Sequence, residues 1–361
     1  MNATTDNQSV WDGLCAPENT IFLDVERAEV RIWSYPQVVY LTIVTPIIMV
    51  LGLITNGSYL YVVIKIKSMH TMTNFYLSQL AVADMLHLLF SFAGSYHHYM
   101  TSDGVIGNIL KDSAPMCFFS AFTPAVYIVS VVIVVQVTLD KYYAVCHPLK
   151  HRVISARKRV IKLTIAAWAF SLLFVFATDL NGLFVTEVCL IWPDVPRYSS
   201  MPNLTGRCYF RIYPEEVDFY MSALSSRVLM LIALVSIVFM YIRIVRAVGS
   251  RPVLQTQRDD STAHLRASAQ RTLRQVIRML LANTIVFFAL SAPLQLAPLI
   301  SDIIHTWTGS GVFLNLVAGT LSGMNSVVNP LIYSATNARY RQNFREAFMP
   351  FLKKPKRPQQ R

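Results

Sequence analysis

Seven apolar runs set what this chain can fold into: 36–66, 74–100, 115–145, 158–180, 217–248, 270–305 and 311–335. Each exceeds the about 20 residues an α-helix needs to cross a hydrocarbon core roughly 30 Å thick. A composition that is 54% hydrophobic and 14% charged falls short of the roughly 25% charge of a soluble domain. Inside lipid every backbone N–H and C=O must be satisfied within the protein, which leaves helices for runs of this length. The expected fold is an all-α membrane protein, a seven-transmembrane helix bundle over 36–336. A segment at 1–35 precedes it, and a short amphipathic helix with a basic tail at 337–361 follows. The first run lies too late for a cleaved signal and reads as a retained anchor.

Charge gives an orientation. Most of the 32 Lys and Arg residues lie at the connections after spans one, three and five and in the tail, while most of the 20 Asp and Glu residues lie on the other side. The positive-inside rule makes the basic side cytoplasmic. With seven spans the N-terminus is then extracellular and the C-terminus cytoplasmic. Basic residues gathered at span ends follow headgroup attraction, so nucleic acid is not an expected partner. Three glycosylation acceptors, Asn2, Asn7 and Asn203, all fall on the predicted outside. Asn56 also fits the pattern, but it lies within a span and is read as a decoy.

Four of the five cysteines, Cys15, Cys117, Cys189 and Cys208, fall on the outer side, where disulfides persist. A Cys117–Cys208 bridge would tie the loop after span four across the mouth of the bundle, leaving Cys15 with Cys189. Four cysteines allow three pairings; Cys117–Cys208 is the expected bridge, and the second is open. Cys146, on the basic side, is expected to remain a thiol.

Span seven ends in Asn325-Ser326-Val327-Val328-Asn329-Pro330-Leu331-Ile332-Tyr333. A proline there frees a carbonyl that lipid cannot satisfy, so polar partners must lie inside the bundle. Asp84, mid-span, makes the same demand: it must be protonated, paired or bound to a cation. Pro293 is expected to kink span six.

These motifs together resemble the rhodopsin-like (class A) G-protein-coupled receptors. The resemblance rests on Asn56 in span one, Leu80-Ala81-Val82-Ala83-Asp84 in span two, and Cys117, Asp140-Lys141-Tyr142 and His147-Pro148-Leu149 on span three. Trp168, Tyr241, Phe287 with Pro293, and Asn329 to Tyr333 complete it. It implies a plasma-membrane receptor that activates a heterotrimeric G protein and also engages arrestin, with membrane lipids around it and no enzymatic activity or organic cofactor. It implies a switch built from Asp140, Lys141, Tyr142, Tyr241, Phe287, Pro293, Pro330 and Tyr333. It further implies an allosteric sodium (Na+) pocket at Asp84, Ser130, Asn325, Ser326 and Asn329; a hydrogen-bonded network without an ion is the alternative. Departures are plain. Lys141 replaces the family's arginine, Ser291 replaces the tryptophan two residues before the span-six proline, and the usual prolines of spans four and five are missing.

Monoamine receptors of the family carry an aspartate in span three. Counting from Lys141 puts that place at Thr123, and counting from Cys117 puts it at Pro124; neither is acidic. The lysine that holds retinal in span seven is replaced by Gly323. An extracellular peptide fits better. Acidic residues rim the outer face, and the loop 184–213 reads as a hairpin lid. Tyr96, Thr123, Tyr127, Glu187, Arg227, Gln295 and Asp302 are the expected ligand contacts. A lipid or other small-molecule ligand is the alternative within the family. A transporter is the alternative outside it, though one central carboxylate and no internal repeat disfavour that reading.

Overall fold

The computed structural model describes residues 19–111, 113–154, 157–178, 185–208, 215–249, 272, 274–296 and 311–349. Among the described residues three strands occur, β1 Thr20–Phe22, β2 Val185–Ile191 and β3 Leu204–Cys208. The helices in chain order are α1 Val25–Glu29, α2 Tyr35–Lys65, α3 Met72–Thr101, α4 Ser113–Cys146 and α5 Pro148–Ile154. They continue with α6 Arg157–Thr178, α7 Glu215–Gly249, α8 Arg274–Leu296, α9 Gly311–Thr336 and α10 Ala338–Phe348. Six of these are long and apolar enough to cross a membrane. With α9, 26 residues long, they make the seven predicted spans, each within two residues of expectation wherever its ends are described. Both predicted ends of span six, near 270 and near 305, lie outside the described residues.

The chain folds as two compact units, and most of the long helices run through both. The first comprises Met1–Pro46, Leu89–Ala125 and Leu172–Ser225. Its core is a small sheet rather than a bare hairpin. β2 pairs antiparallel with β3, as the loop pattern predicts, and β1 adds in parallel on the other edge of β2 with Thr20 opposite Cys189. The reason is apolar: Leu23, Ala28 and Ile32, just after β1, bury themselves with Val105, Leu190 and Tyr198. Asp24 caps α1 by accepting from the Arg27 amide at 2.7 Å. Trp33 Nε1 donates to Ser102 Oγ at 2.9 Å and packs edge-on against Tyr99. The tight turn after α3 places Asp103 at φ 51° and Gly104 at φ 81°, a left-handed pair that Asp and Gly tolerate. Cys117 and Cys189 are both disulfide-bonded. Cys15 and the Cys208 side chain lie outside the described residues, as do Asn2 and Asn7. Asn203 is exposed in the turn before β3.

The second unit comprises Ile47–Leu88, Val126–Ser171 and Ser226–Arg361. Small residues let its helices approach closely. A Cβ at Gly52 would lie 2.1 Å from Leu88 Cδ1, and one at Gly323 would lie 3.0 Å from Ile48. Tyr59, Ile133, Ile244, Met279 and Phe287 are fully buried. α10 begins at Asn337, whose side chain accepts from the Arg339 amide at 3.0 Å. Its sequence pattern predicts an apolar stripe of Tyr340, Phe344, Ala347 and Phe348. The buried stripe is instead Tyr340, Asn343 and Ala347. Phe344 stacks on Phe348, which is half exposed, so one face meets protein and the adjoining face is open.

Gly206 of β3 offers a direct test of the lid. A Cβ there would stand 3.0 Å from the Leu110 backbone, and the Gly206 carbonyl accepts from the Ile109 amide at 2.9 Å. Gly206→Ala must therefore push backbone against backbone, at a cost of about 1–3 kcal/mol. A thermal melt of the purified protein should show a lower midpoint, whereas the same substitution at Gly57, inside α2 with nothing within 4 Å, should hold or raise it, because alanine is the better helix former.

Candidate functional site

The polar centre grows from one covalent fact. Pro330 has no amide hydrogen, so the carbonyl four residues earlier, on Ser326, has no helical partner. Asn56 Nδ2 donates to that Ser326 carbonyl at 2.7 Å and to the Gly52 carbonyl at 2.9 Å. Thr55 Oγ1 donates to the neighbouring carbonyl, that of Val327, at 3.0 Å. Span one thus stitches the break in span seven. It also explains why Asn56 is a decoy as an acceptor of sugar: it is fully buried.

Asp84 is buried beside this break. It accepts from Asn329 Nδ2 at 2.6 Å and from Ser130 Oγ at 3.4 Å. Asn325 and Ser326 are buried on the same helix. The Oδ1 atoms of Asn325 and Asn329 are buried with no hydrogen-bond partner. Beside the carboxylate the Asn329 amide oxygen is thus a surplus acceptor, of the kind that hard cations or water favour.

At the basic end, Lys141 Nζ donates to Asp140 Oδ2 at 2.6 Å and to Thr73 Oγ1 at 2.5 Å. Both charged side chains are largely buried, with 11% and 7% exposed. His151 Nε2 lies 3.1 Å from Asp140 Oδ1, and Tyr142 pairs its hydroxyl with His147 at 3.2 Å. The motif's spacing identifies Asp140 and Lys141. Thr73 and His151 carry no comparable signal, because they join through tertiary packing. Tyr241 bonds Thr284 at 3.4 Å. Tyr333 packs edge-on against Tyr59 at 5.5 Å, with its hydroxyl lacking a partner. Tyr340 stacks on Tyr59 and donates to Asn74 Oδ1. Burial raises the Tyr340 phenol pKa above its usual value, so it stays a donor at neutral pH.

Higher in the second unit, Tyr127 stacks on fully buried Phe287 at 6.4 Å, and its hydroxyl faces Ser291 and Gln295. Ser291, at the place of the family's tryptophan, is buried and its Oγ has no hydrogen bond. Arg227 Nε donates to the Gln295 carbonyl at 3.0 Å. That carbonyl lies in the last turn of α8, where orphan acceptors and the helix dipole favour a cation. Pro293 lies within α8. In the first unit, Tyr96 stacks on Phe92, and Thr123 donates its hydroxyl to the Phe119 carbonyl at 2.8 Å. Glu187 is exposed on β2 opposite Gly206. The structure thus brings together Tyr127, Arg227 and Gln295. Asp302 lies outside the described residues.

A membrane-spanning helical chain with a stitched proline break, a central carboxylate and a paired Asp-Lys at one end is a seven-helix receptor in form. A family model described as 7 transmembrane receptor (rhodopsin family) matches residues 55–333, and the chain belongs to that family. It is 30% identical over 322 residues to neuromedin-U receptor 1 of Rattus norvegicus, covering 83% of this chain and 71% of that protein. It is 27% identical to neuromedin-U receptor 1 of Homo sapiens over 320 residues, covering 83% and 71%. It is 26% identical to the neuromedin U receptor homolog nmur-2 of Caenorhabditis elegans over 325 residues, covering 82% and 76%.

Removing one partner of a buried pair leaves an uncompensated charge, typically at a cost of about 3–5 kcal/mol. Asp140→Ala should therefore lower the melting midpoint of the purified protein more than the double change Asp140→Ala with Lys141→Met. Equal losses in the two variants would show that the pair carries no buried charge.

Proposed function

We propose that this protein is a plasma-membrane receptor, with its N-terminus outside and its C-terminus in the cytoplasm, that binds an extracellular peptide and activates a heterotrimeric G protein. Arrestin is the second cytoplasmic partner in this reading. The observation that carries it is the closed Asp140–Lys141–Thr73 cluster at the basic end. A buried ammonium held by its neighbour and by the next helix is a group that can be released to a partner. Tyr241 and Tyr333 already have other packing and are the groups Lys141 would meet once freed. Lysine makes a point contact where the family's arginine would make a rigid fork, so the released state has looser geometry.

A peptide ligand is supported by the relatives named for neuromedin U and by the outer layer. The lid carries exposed acidic residues, Glu187 and Asp194 among them, and such a field steers a basic ligand inward. Cys189 is disulfide-bonded and sits opposite Thr20, five residues along the chain from Cys15. That placement supports Cys15–Cys189, with Cys117–Cys208 as the other bridge. Sodium is supported by the Asn329 side chain, which touches Asp84 and has its amide oxygen unsatisfied; Asp84, Ser130, Asn325, Ser326 and Asn329 would hold it. Its charge would offset the carboxylate when bound.

Nucleotide exchange on a panel of purified G proteins, driven by neuromedin U and a library of basic peptides, tests the reading. Exchange above baseline with at least one peptide is expected. Silence to every peptide together with activation by a lipid would favour the small-molecule alternative, and solute movement across vesicles with no exchange would favour a transporter. Lys141→Arg should keep exchange, and Lys141→Ala should reduce it roughly tenfold or more, the scale of one charged hydrogen bond. Asp84→Asn should abolish the sodium dependence of agonist affinity; unchanged dependence would leave the network reading in its place.

A further inference from the structure

We propose that the crevice between α7 and α8 is a binding site for an anionic phospholipid of the cytoplasmic leaflet, with one acyl chain in the groove and the phosphate on Arg246. The inference goes beyond the receptor reading and rests on these two helices spanning a bilayer with their basic ends in the cytoplasm.

The crevice has a volume of about 570 Å³, within the range of sites that hold small ligands. Leu234, Ile237 and Tyr241 line it from α7, and Leu281, Thr284 and Phe288 line it from α8. Tyr241 and Thr284 spend their hydroxyls on each other at 3.4 Å, so the groove asks nothing polar of an occupant along its length. Val238, Val245 and Ile285 form its rim and are 48%, 57% and 60% exposed. An open apolar trough of this kind between two membrane spans is filled by hydrocarbon.

The charge at one end selects which hydrocarbon. Arg246 is the charged member of the lining. From Leu234 to Arg246 the groove follows α7 for roughly 18 Å at 1.5 Å per residue. That is slightly more than half of a hydrocarbon core roughly 30 Å thick, so a chain in the groove belongs to one leaflet and ends its glycerol near Arg246. The cytoplasmic leaflet carries the anionic lipids, and basic pockets between spans on that side hold their headgroups. Guanidinium matches phosphate with two parallel hydrogen bonds; in a choline lipid the headgroup's own cation offsets that phosphate, so a headgroup of net negative charge is the one Arg246 favours.

Occupancy has a consequence for the switch. A chain seated against Tyr241, Thr284 and Phe288 packs the inner halves of α7 and α8 together. Any movement that parts these helices must reshape or empty the groove, so the lipid biases the equilibrium by its differential affinity for the two arrangements.

Native mass spectrometry of the full-length protein in mild detergent, with equal concentrations of dioleoyl phosphatidylserine and dioleoyl phosphatidylcholine, tests the proposal. One retained phosphatidylserine is expected, favoured by about fivefold, the factor a single basic residue gives near an anionic surface. Arg246→Gln should abolish the preference. Arg243→Gln, which removes the same charge from outside the lining, should keep it. Ile285→Trp and Val238→Trp fill the groove from exposed positions that spare the core, and each should displace the lipid. Equal retention of the two lipids by the unaltered protein, or an unchanged preference in Arg246→Gln, would overturn the proposal. So would a dimer mass lost on Ile285→Trp, which would assign the groove to a second copy of the chain.

Discussion

The missing amide hydrogen of Pro330 is the constraint on which the interior depends. In water the orphaned Ser326 carbonyl would be solvated at little cost. In hydrocarbon it costs several kcal/mol unless a protein donor reaches it. Asn56 and Thr55 supply donors from the first span, so a polar contact rather than apolar packing fixes how these two helices meet. The close approach this needs is served by small residues, Gly52 against Leu88 and Gly323 against Ile48. A helix so interrupted keeps a soft point beside Asp84, whose carboxylate then finds Asn329 within 2.6 Å.

From that point the polar groups run toward the basic end as a series of alternatives. Several have surplus capacity: the Asn325 and Asn329 Oδ1 atoms, Ser291 Oγ and the Tyr333 hydroxyl are all buried without hydrogen-bond partners. A core with every group satisfied in one arrangement would be rigid. Surplus acceptors and donors leave room for water or an ion and for a second set of pairings. The Asp140–Lys141–Thr73 cluster closes one set; in the proposed switch Tyr241 and Tyr333 would take part in another. Away from the basic end, Ser291 stands where the family has tryptophan, and Tyr127 stacks on Phe287.

Much of this was legible in the sequence because lipid imposes a simple rule on length. Span ends fell within two residues of prediction where they are described, and α10 spans the predicted 338–348. The central carboxylate and the Asp140–Lys141 pair were legible because a charge in an apolar run has few bland explanations. The parallel addition of Thr20–Phe22 to the lid was not, since three residues carry no periodicity and their reason is a distant cluster around Leu190 and Tyr198. Arg227 stood out as a lone cation in a span and reads as a ligand group in sequence; in the structure it caps the Gln295 carbonyl. Thr73, His151 and Asn343 owe their positions to neighbours far along the chain, and nothing local announces them.

The central claim is that the inner ends of the helices are held together by buried polar pairs and part when those pairs exchange. Spin labels at Lys150 and Arg278, with distances read by pulsed electron resonance, test it directly. The account predicts one short distance in the free protein and a longer population when the activating peptide and nucleotide-free G protein are both added. A single unchanged distance, measured while nucleotide exchange proceeds, would contradict it.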